Sequence, residues 1–367
     1  MKTPVNSFLD RITLACFILI FLLLSFEANT QKDTTGIKKQ KVKAPKQYFS
    51  LFNSDKLLNV NLYLDLAKFM KKTSKNDSFD AEMTINPGSP DSVNQKIVIK
   101  YRGILRYDIC SFPPMQINLN NPLHDDSLRV KRLKLVTHCE PGAITDEYII
   151  REYLVYKLFN ALTDTCLRAR LLKVNYIDSK GNKKSISKYG VFIEPLEMLA
   201  KRTNSVILKQ TNLKQQHIIP TWIDRVAIFN YMISNWDWSV PGPHNVELIK
   251  PVNYTAGGLG IAIPYDFDLT GIVNASYASP PPEFIGTDNI RQRRYYGLCR
   301  TKETYLEDLK EFSDKKDKIY KVINDCPYLN QRSKKDITNF LDSFFDKLTD
   351  SKGLDNLTDS FSTTCKY

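Results

Sequence analysis

The chain has 367 residues, is 42% hydrophobic and 25% charged, and carries a formal net charge of +12. That is ample apolar material for a packed core and too much for one minimal domain. The positive charge is dispersed rather than blocked, and with no nucleic-acid motif, internal repeat or long low-complexity tract it gives no ground for a nucleic-acid partner.

Lys2 and Arg11 precede an apolar run, ITLACFILIFLLLSF, over residues 12–26, which is too short for a comfortable membrane span; the polar stretch EANTQKD follows. This predicts a signal peptide over residues 1–30, with Ala28 and Thr30 before a cut ahead of Gln31, and no membrane span after cleavage. An uncleaved anchor is the alternative. Removing Lys2 and Arg11 with Asp10 and Glu27 leaves the charge at +12 and six cysteines, at 110, 139, 166, 299, 326 and 365. An even count in an exported chain predicts disulfides, although sequence does not choose the pairs, and places the protein outside the cell, in a periplasm or on a surface. No pair has CxxC spacing, which disfavours a cysteine zinc site. The basic run GIKKQKVKAPKQ, 36–47, falls in an expected linker over 31–50.

Residues 51–195 read mainly as strands. QKIVIKYRG (96–103), MQINLN (115–120), VKRLKLV (130–136), ARLLKVNYI (169–177) and YGVFIEP (189–195) predict an antiparallel sheet, with the polar turn SKGNKK before the last. One helix is expected over 145–162, opening on Thr145 with Asp146 and Glu147 in its first turn. Ile150, Leu154, Leu158 and Leu162 form one seam; Ile149, Glu152, Tyr156 and Phe159 form a second, in which Glu152 is a carboxylate that needs a partner, with Lys134 as candidate. From 196 to 367 helices dominate, at a segment ending before Asn235, at 303–323 and at 333–348. A strand-rich first half and a helix-rich second half predict an α+β architecture with two lobes.

The chemistry concentrates in NWDWSVPGPHNVELI (235–249) and IPYDFDLTG (263–271). If the second piece is extended, its period of two puts Asp266 and Asp268 on one side, where they could share a hard cation. Asp237 could accept a proton from an attacking hydroxyl and Asn245 offer a neutral oxygen to the metal, the parts of metal-assisted phosphoryl transfer. The competing readings are structural: Asp237 as a turn cap, Asp266 and Asp268 as calcium ligands or turn formers, and His244 as a loop-fixing hydrogen bonder rather than a metal ligand. Arg102 and Arg106 either clamp phosphate or form salt bridges. RQRRYYGLCR (291–300) reads either as a polyanion groove or as a disulfide-tethered segment.

Arg102, Gly103 and Arg106, FPP (112–114), YGVFIEPLEMLAKR (189–202), N-x-D-W (235–238), HN (244–245) and PYDFD (264–268) follow an order that resembles the spore coat protein H (CotH) kinase family over roughly residues 95–300. The resemblance implies an exported phosphotransferase with a bilobal atypical protein-kinase-like fold, its N-lobe 51–195 antiparallel with one main helix and its C-lobe 196–367 helical. It implies Asp237 as catalytic aspartate, Asn245 and Asp266, with Asp268 as second candidate, as ligands of Mg²⁺ or Mn²⁺ with ATP, and a Ser or Thr hydroxyl of an exported or surface protein as acceptor. The kinase pattern also wants a strand lysine paired with a helix glutamate, a place that Lys134 and Glu152 fill by order; these two, with Arg102 and Arg106, are the expected cofactor-binding residues. Two features depart from the pattern: eight residues from Asp237 to Asn245, and no glycine-rich phosphate loop. A catalytically inactive surface or periplasmic binding protein and a module stabilised by structural Ca²⁺ are the alternatives.

Overall fold

The computed structural model describes residues 47–125, 128–254, 260–281 and 289–366; the expected signal peptide and most of the basic linker lie outside them. The first half is built from β1 (Gln47–Tyr48), β2 (Leu58–Leu64), β3 (Ser78–Ile85), β4 (Val93–Tyr101), β5 (Met115–Asp125), β6 (Leu128–Val136), β7 (Ala169–Asp178) and β8 (Ile186–Ile193). They pair in the order β1-β5-β4-β3-β2-β7-β8-β6, and β6 pairs back to β5, so seven of the eight strands close on themselves and β1 extends β5. Alternation drives the closure. Val60, Leu62, Ile97, Ile99, Ile117, Leu133, Leu135 and Val174 point inward and are almost fully buried in one core.

The expected bilobal kinase-like arrangement is therefore corrected: a closed seven-stranded barrel with a helical region stands where an open N-lobe sheet was expected. The physical reason lies in LNVNLYL and SFDAEMTI, β2 and β3, which the sequence reading passed over. They carry the sheet round from β4 to β7, and β2 runs parallel to β7, so the first half is not purely antiparallel.

The helices are α1 (Leu66–Lys71), α2 (Leu105–Ile109), α3 (Ile144–Leu162), α4 (Leu196–Arg202), α5 (Pro220–Met232), α6 (Lys302–Asp314), α7 (Lys316–Asn324), α8 (Gln331–Phe345) and α9 (Ser351–Thr364). A small antiparallel sheet joins β9 (Ser205–Ile207), β10 (Val246–Pro251) and β11 (Ile261–Pro264). Helix α3 lies against β7 and β8 outside the barrel, and its seam of Ile150, Leu154, Leu158 and Leu162 is at most 3% exposed. Each such side chain contributes about 1.5–3 kcal/mol by burial. The second core runs from this seam through α5 to the C-terminal helices. Thr145 is not the N-cap of α3: its hydroxyl donates to the Glu140 and Gly142 carbonyls instead. Asn330, rather than Ser333, caps α8.

Disulfides join Cys110 to Cys139 and Cys299 to Cys365, while Cys166 and Cys326 are free and buried. The two bridges indicate an oxidising compartment. Among the described residues no helix is long and apolar enough to cross a membrane.

Candidate active site

Asp237 is positioned by the end of α5. Ser234 takes a left-handed φ of 53°, which turns the chain out of the helix, and Asn235 bonds back to Asn230 through both backbone and side chain. The Asn235 Oδ1 then accepts the Asp237 N–H at 3.0 Å. Residues 239–244 form a tight turn: Ser239 and His244 exchange backbone hydrogen bonds of 2.9 and 3.0 Å around Gly242, whose φ is +57°. This turn absorbs the eight-residue spacing and returns His244 and Asn245 to Asp237. The Asn245 Nδ2 donates to the Asp237 carbonyl and Oδ2, each at 2.8 Å, and the His244 Nε2 lies 2.6 Å from Oδ1. His244 thus grips the carboxylate itself.

The β10–β11 pairing brings the aspartates alongside. The Tyr265 N–H bonds the Asn245 carbonyl at 3.0 Å, and Asp266, at φ 61°, leaves the strand with its N–H on the Tyr156 hydroxyl at 2.9 Å. Residues 265–267 have no regular secondary structure and a turn follows at 268–269, so the segment is not an extended strand. The carboxylates still meet: burial first, then the charges of Asp266 and Asp237, push Asp268 up to about 6 against the opposing Arg106 and a hydrogen bond from Tyr277.

Arg102 follows β4 and Arg106 lies in α2, so the two sit on different elements. The fold nonetheless points both inward. Arg102 Nη2 is 3.8 Å from Asp266 Oδ2, and Arg106 Nε is 3.8 Å from Asp268 Oδ2. Arg106 is 7% exposed, donates through Nη2 to the Thr137 carbonyl, and keeps a buried Nε with no hydrogen-bond acceptor. Glu152, 1% exposed, belongs to this cluster: burial and the Asp268 and Asp266 charges push its carboxyl well up, with Arg106 and Arg102 opposing, and its Oε1 has no hydrogen-bond partner.

Lys134 does not meet Glu152. Its Nζ is 3.3 Å from Glu247 of β10 and lies over the Tyr265 ring at 4.6 Å. The residues that sequence reasoning missed are those that position others: Glu247, Asn230, Asn235, Tyr156 and Tyr277. An asparagine in an otherwise apolar stretch of α5, Asn230, followed five residues later by Asn235 just past the helix end, was the available signal for the first turn.

Asp266, Asp268 and Glu152 thus face the Arg102 and Arg106 guanidinium groups, and the charge of Asp237 reaches Asp268. Among the described residues no three His, Cys, Asp or Glu side chains stand close enough to hold a metal ion unaided.

No family model and no curated protein matches the chain. Among solved structures it is similar to a Helicobacter pylori proinflammatory kinase, CtkA, at 14% identity and a TM-score of 0.36, over 68% of this chain and 92% of that one. A likeness of that order does not establish a shared fold or activity.

Proposed function

We propose that the chain is a phosphotransferase that moves the γ-phosphate of ATP to a protein hydroxyl with a divalent metal. The observation that carries this reading is the grip on Asp237: one amide and one imidazole orient its carboxylate beside a second loop bearing Asp266 and Asp268. A general base must be held in one orientation, and Asp237 is, while 34% of its side chain remains exposed to an incoming hydroxyl. Asn245 and Asp266 would hold Mg²⁺ or Mn²⁺, which supplies charge neutralisation to the phosphates. At 3.8 Å the Arg102–Asp266 pair is longer than a hydrogen bond, so Arg102 is available to phosphate oxygens, while Arg106, buried and held by the Thr137 carbonyl, contributes its charge. A Ser or Thr acceptor on an exported or surface protein follows from the sequence resemblance alone.

A second reading, an inactive binding protein, has its own observation. Each candidate metal aspartate already faces an arginine, and Lys134 faces Glu247. Transfer of labelled γ-phosphate to the chain itself or to a basic acceptor protein, with Mg²⁺ or Mn²⁺, separates them. The first reading expects label from the wild type and a fall of at least about 100-fold in Asp237→Asn. Equal background in both favours the second.

A further inference from the structure

On the side of α3 away from the candidate site, a hollow of about 580 Å³ opens between α3, α7 and the segment before β2. Its floor is apolar, made by Tyr153, Leu154, Val322 and Tyr328. Its rim is cationic: Lys56, Lys157, Lys318 and Lys321 stand against only Asp55 and Asp325. Those two acids are already used, Asp55 by Lys157 at 2.7 Å and Asp325 by Lys321 at 2.6 Å. Among the described residues Lys56 and Lys318 have no ion-pair partner. Beneath the floor, Arg170 is 5% exposed, donates to the Leu51 and Ser54 carbonyls, and keeps a buried Nε with no acceptor. Its charge is felt by Asp55, Tyr153 and Tyr328, which line the hollow, and it adds to the excess of positive charge there.

We propose that this hollow is a binding site for an amphipathic anion, an acyl carboxylate whose chain lies on the tyrosine and leucine floor and whose head sits among Lys157, Lys318 and Lys56. The volume falls within the ~300–1,000 Å³ of small-molecule sites, and an apolar floor with a few convergent charges is how such sites combine affinity with orientation. A plain anion would leave the apolar floor in water, and a cationic amphiphile would meet Lys56 and Lys318 as like charges. The site is separate from the phosphotransfer reading and does not depend on it. Helix α3 nevertheless carries Glu152 toward one and Tyr153 and Lys157 toward the other, so an occupant presses on the helix that holds Glu152.

Calorimetric titration of the full chain tests this, with decanoate below its micelle concentration and with decyltrimethylammonium, octyl glucoside and inorganic phosphate as controls. The expected result is saturable decanoate binding at one per chain, weakened at least tenfold in the Lys157→Ala, Lys318→Ala double variant and in Val322→Asp, with thermal midpoints near that of the wild type. Val322 is only partly buried, so its variant folds where a core substitution would not. No decanoate binding by the folded wild type overturns the proposal. So does equal binding of the cationic or neutral detergent, equal binding of phosphate, or affinity unchanged in both variants.

Discussion

Asn245 reaches Asp237 with one amide and two hydrogen bonds, which is possible because its φ of 51° turns the chain back on itself at that residue. Gly, Asn and Asp accept that conformation most readily, and of these only Asn has a side-chain amide to give. Asp237→Asn is accordingly the substitution that removes the base and spares the backbone. It should abolish transfer while leaving metal-dependent nucleotide binding intact, and labelling together with a thermal-shift assay checks both halves. His138 shows a different logic. It is 2% exposed, stacks on Phe112 at 4.4 Å, and has no partner for Nδ1. Burial first, then the Lys188 and Arg106 charges, hold its pKa down to about 3. Its folded pKa lies below the unfolded value of about 6.5, so the unfolded chain binds the proton first and stability falls as pH drops below 6.5. Between pH 7 and pH 5 this one residue should remove about 2 kcal/mol. His138→Phe should flatten that stretch of the stability profile, measured by denaturant unfolding; a profile parallel to the wild type would contradict it.

The Cys110–Cys139 bridge ties the end of α2, which carries Arg106, to the segment between β6 and α3. It closes a loop of 29 residues, for which loop entropy predicts about 3–4 kcal/mol. Cys110→Ser with Cys139→Ser should lower stability by about 2–4 kcal/mol, read from a urea midpoint, and should loosen Arg106 from Asp268. Legibility in the sequence also divides at this scale. Strands with strict alternation, β4, β6 and β7, and helices with strong seams, α3, α5 and α8, were readable because their local pattern is their tertiary environment. Strand β2 alternates as well, with Leu58, Val60, Leu62 and Leu64 against Asn59, Asn61 and Tyr63, and was legible though passed over; the break at Lys315 that splits one long amphipathic run into α6 and α7 was not. Asp237, Asn245 and Asp266 could be singled out because polar groups interrupt apolar turns. Glu247 could not be assigned to Lys134, because 113 residues separate them and they lie on strands of different sheets.

Across the whole molecule, arginines act as internal pins. Arg151 of α3 and Arg291 both end on Asp336 of α8, at 2.7 and 2.5 Å, while Arg300 meets the buried Asp224 of α5. Arg293 donates to the Met232 and Phe340 carbonyls. Of the two readings of the stretch 291–300, a polyanion groove or a disulfide-tethered segment, the structure shows the tether, Cys299 to Cys365, and arginines that turn inward to hold α5, α8 and α3 together. Asp336→Ala would leave two guanidinium groups without their carboxylate. Asp336 is 37% exposed, so solvent keeps the cost below the ~3–5 kcal/mol of a fully buried pair, at about 2 kcal/mol by thermal unfolding. Closure of the barrel has the larger consequence: β6 is paired on both sides, and the end of β4 and the start of β5 carry Arg102 and the α2 segment to the same place as α3 and the segments just before β10 and just after β11. The acid cluster assembled there gives the account its central claim, that Asp266 with Asn245 takes a divalent cation together with nucleotide phosphates. Thermal stabilisation by ATP with Mg²⁺ or Mn²⁺, in the wild type and in Asp266→Ala, tests it most directly. The account predicts a metal-dependent rise in the wild type that vanishes in Asp266→Ala; no rise with any nucleotide and metal, or a rise with Ca²⁺ alone, would contradict it.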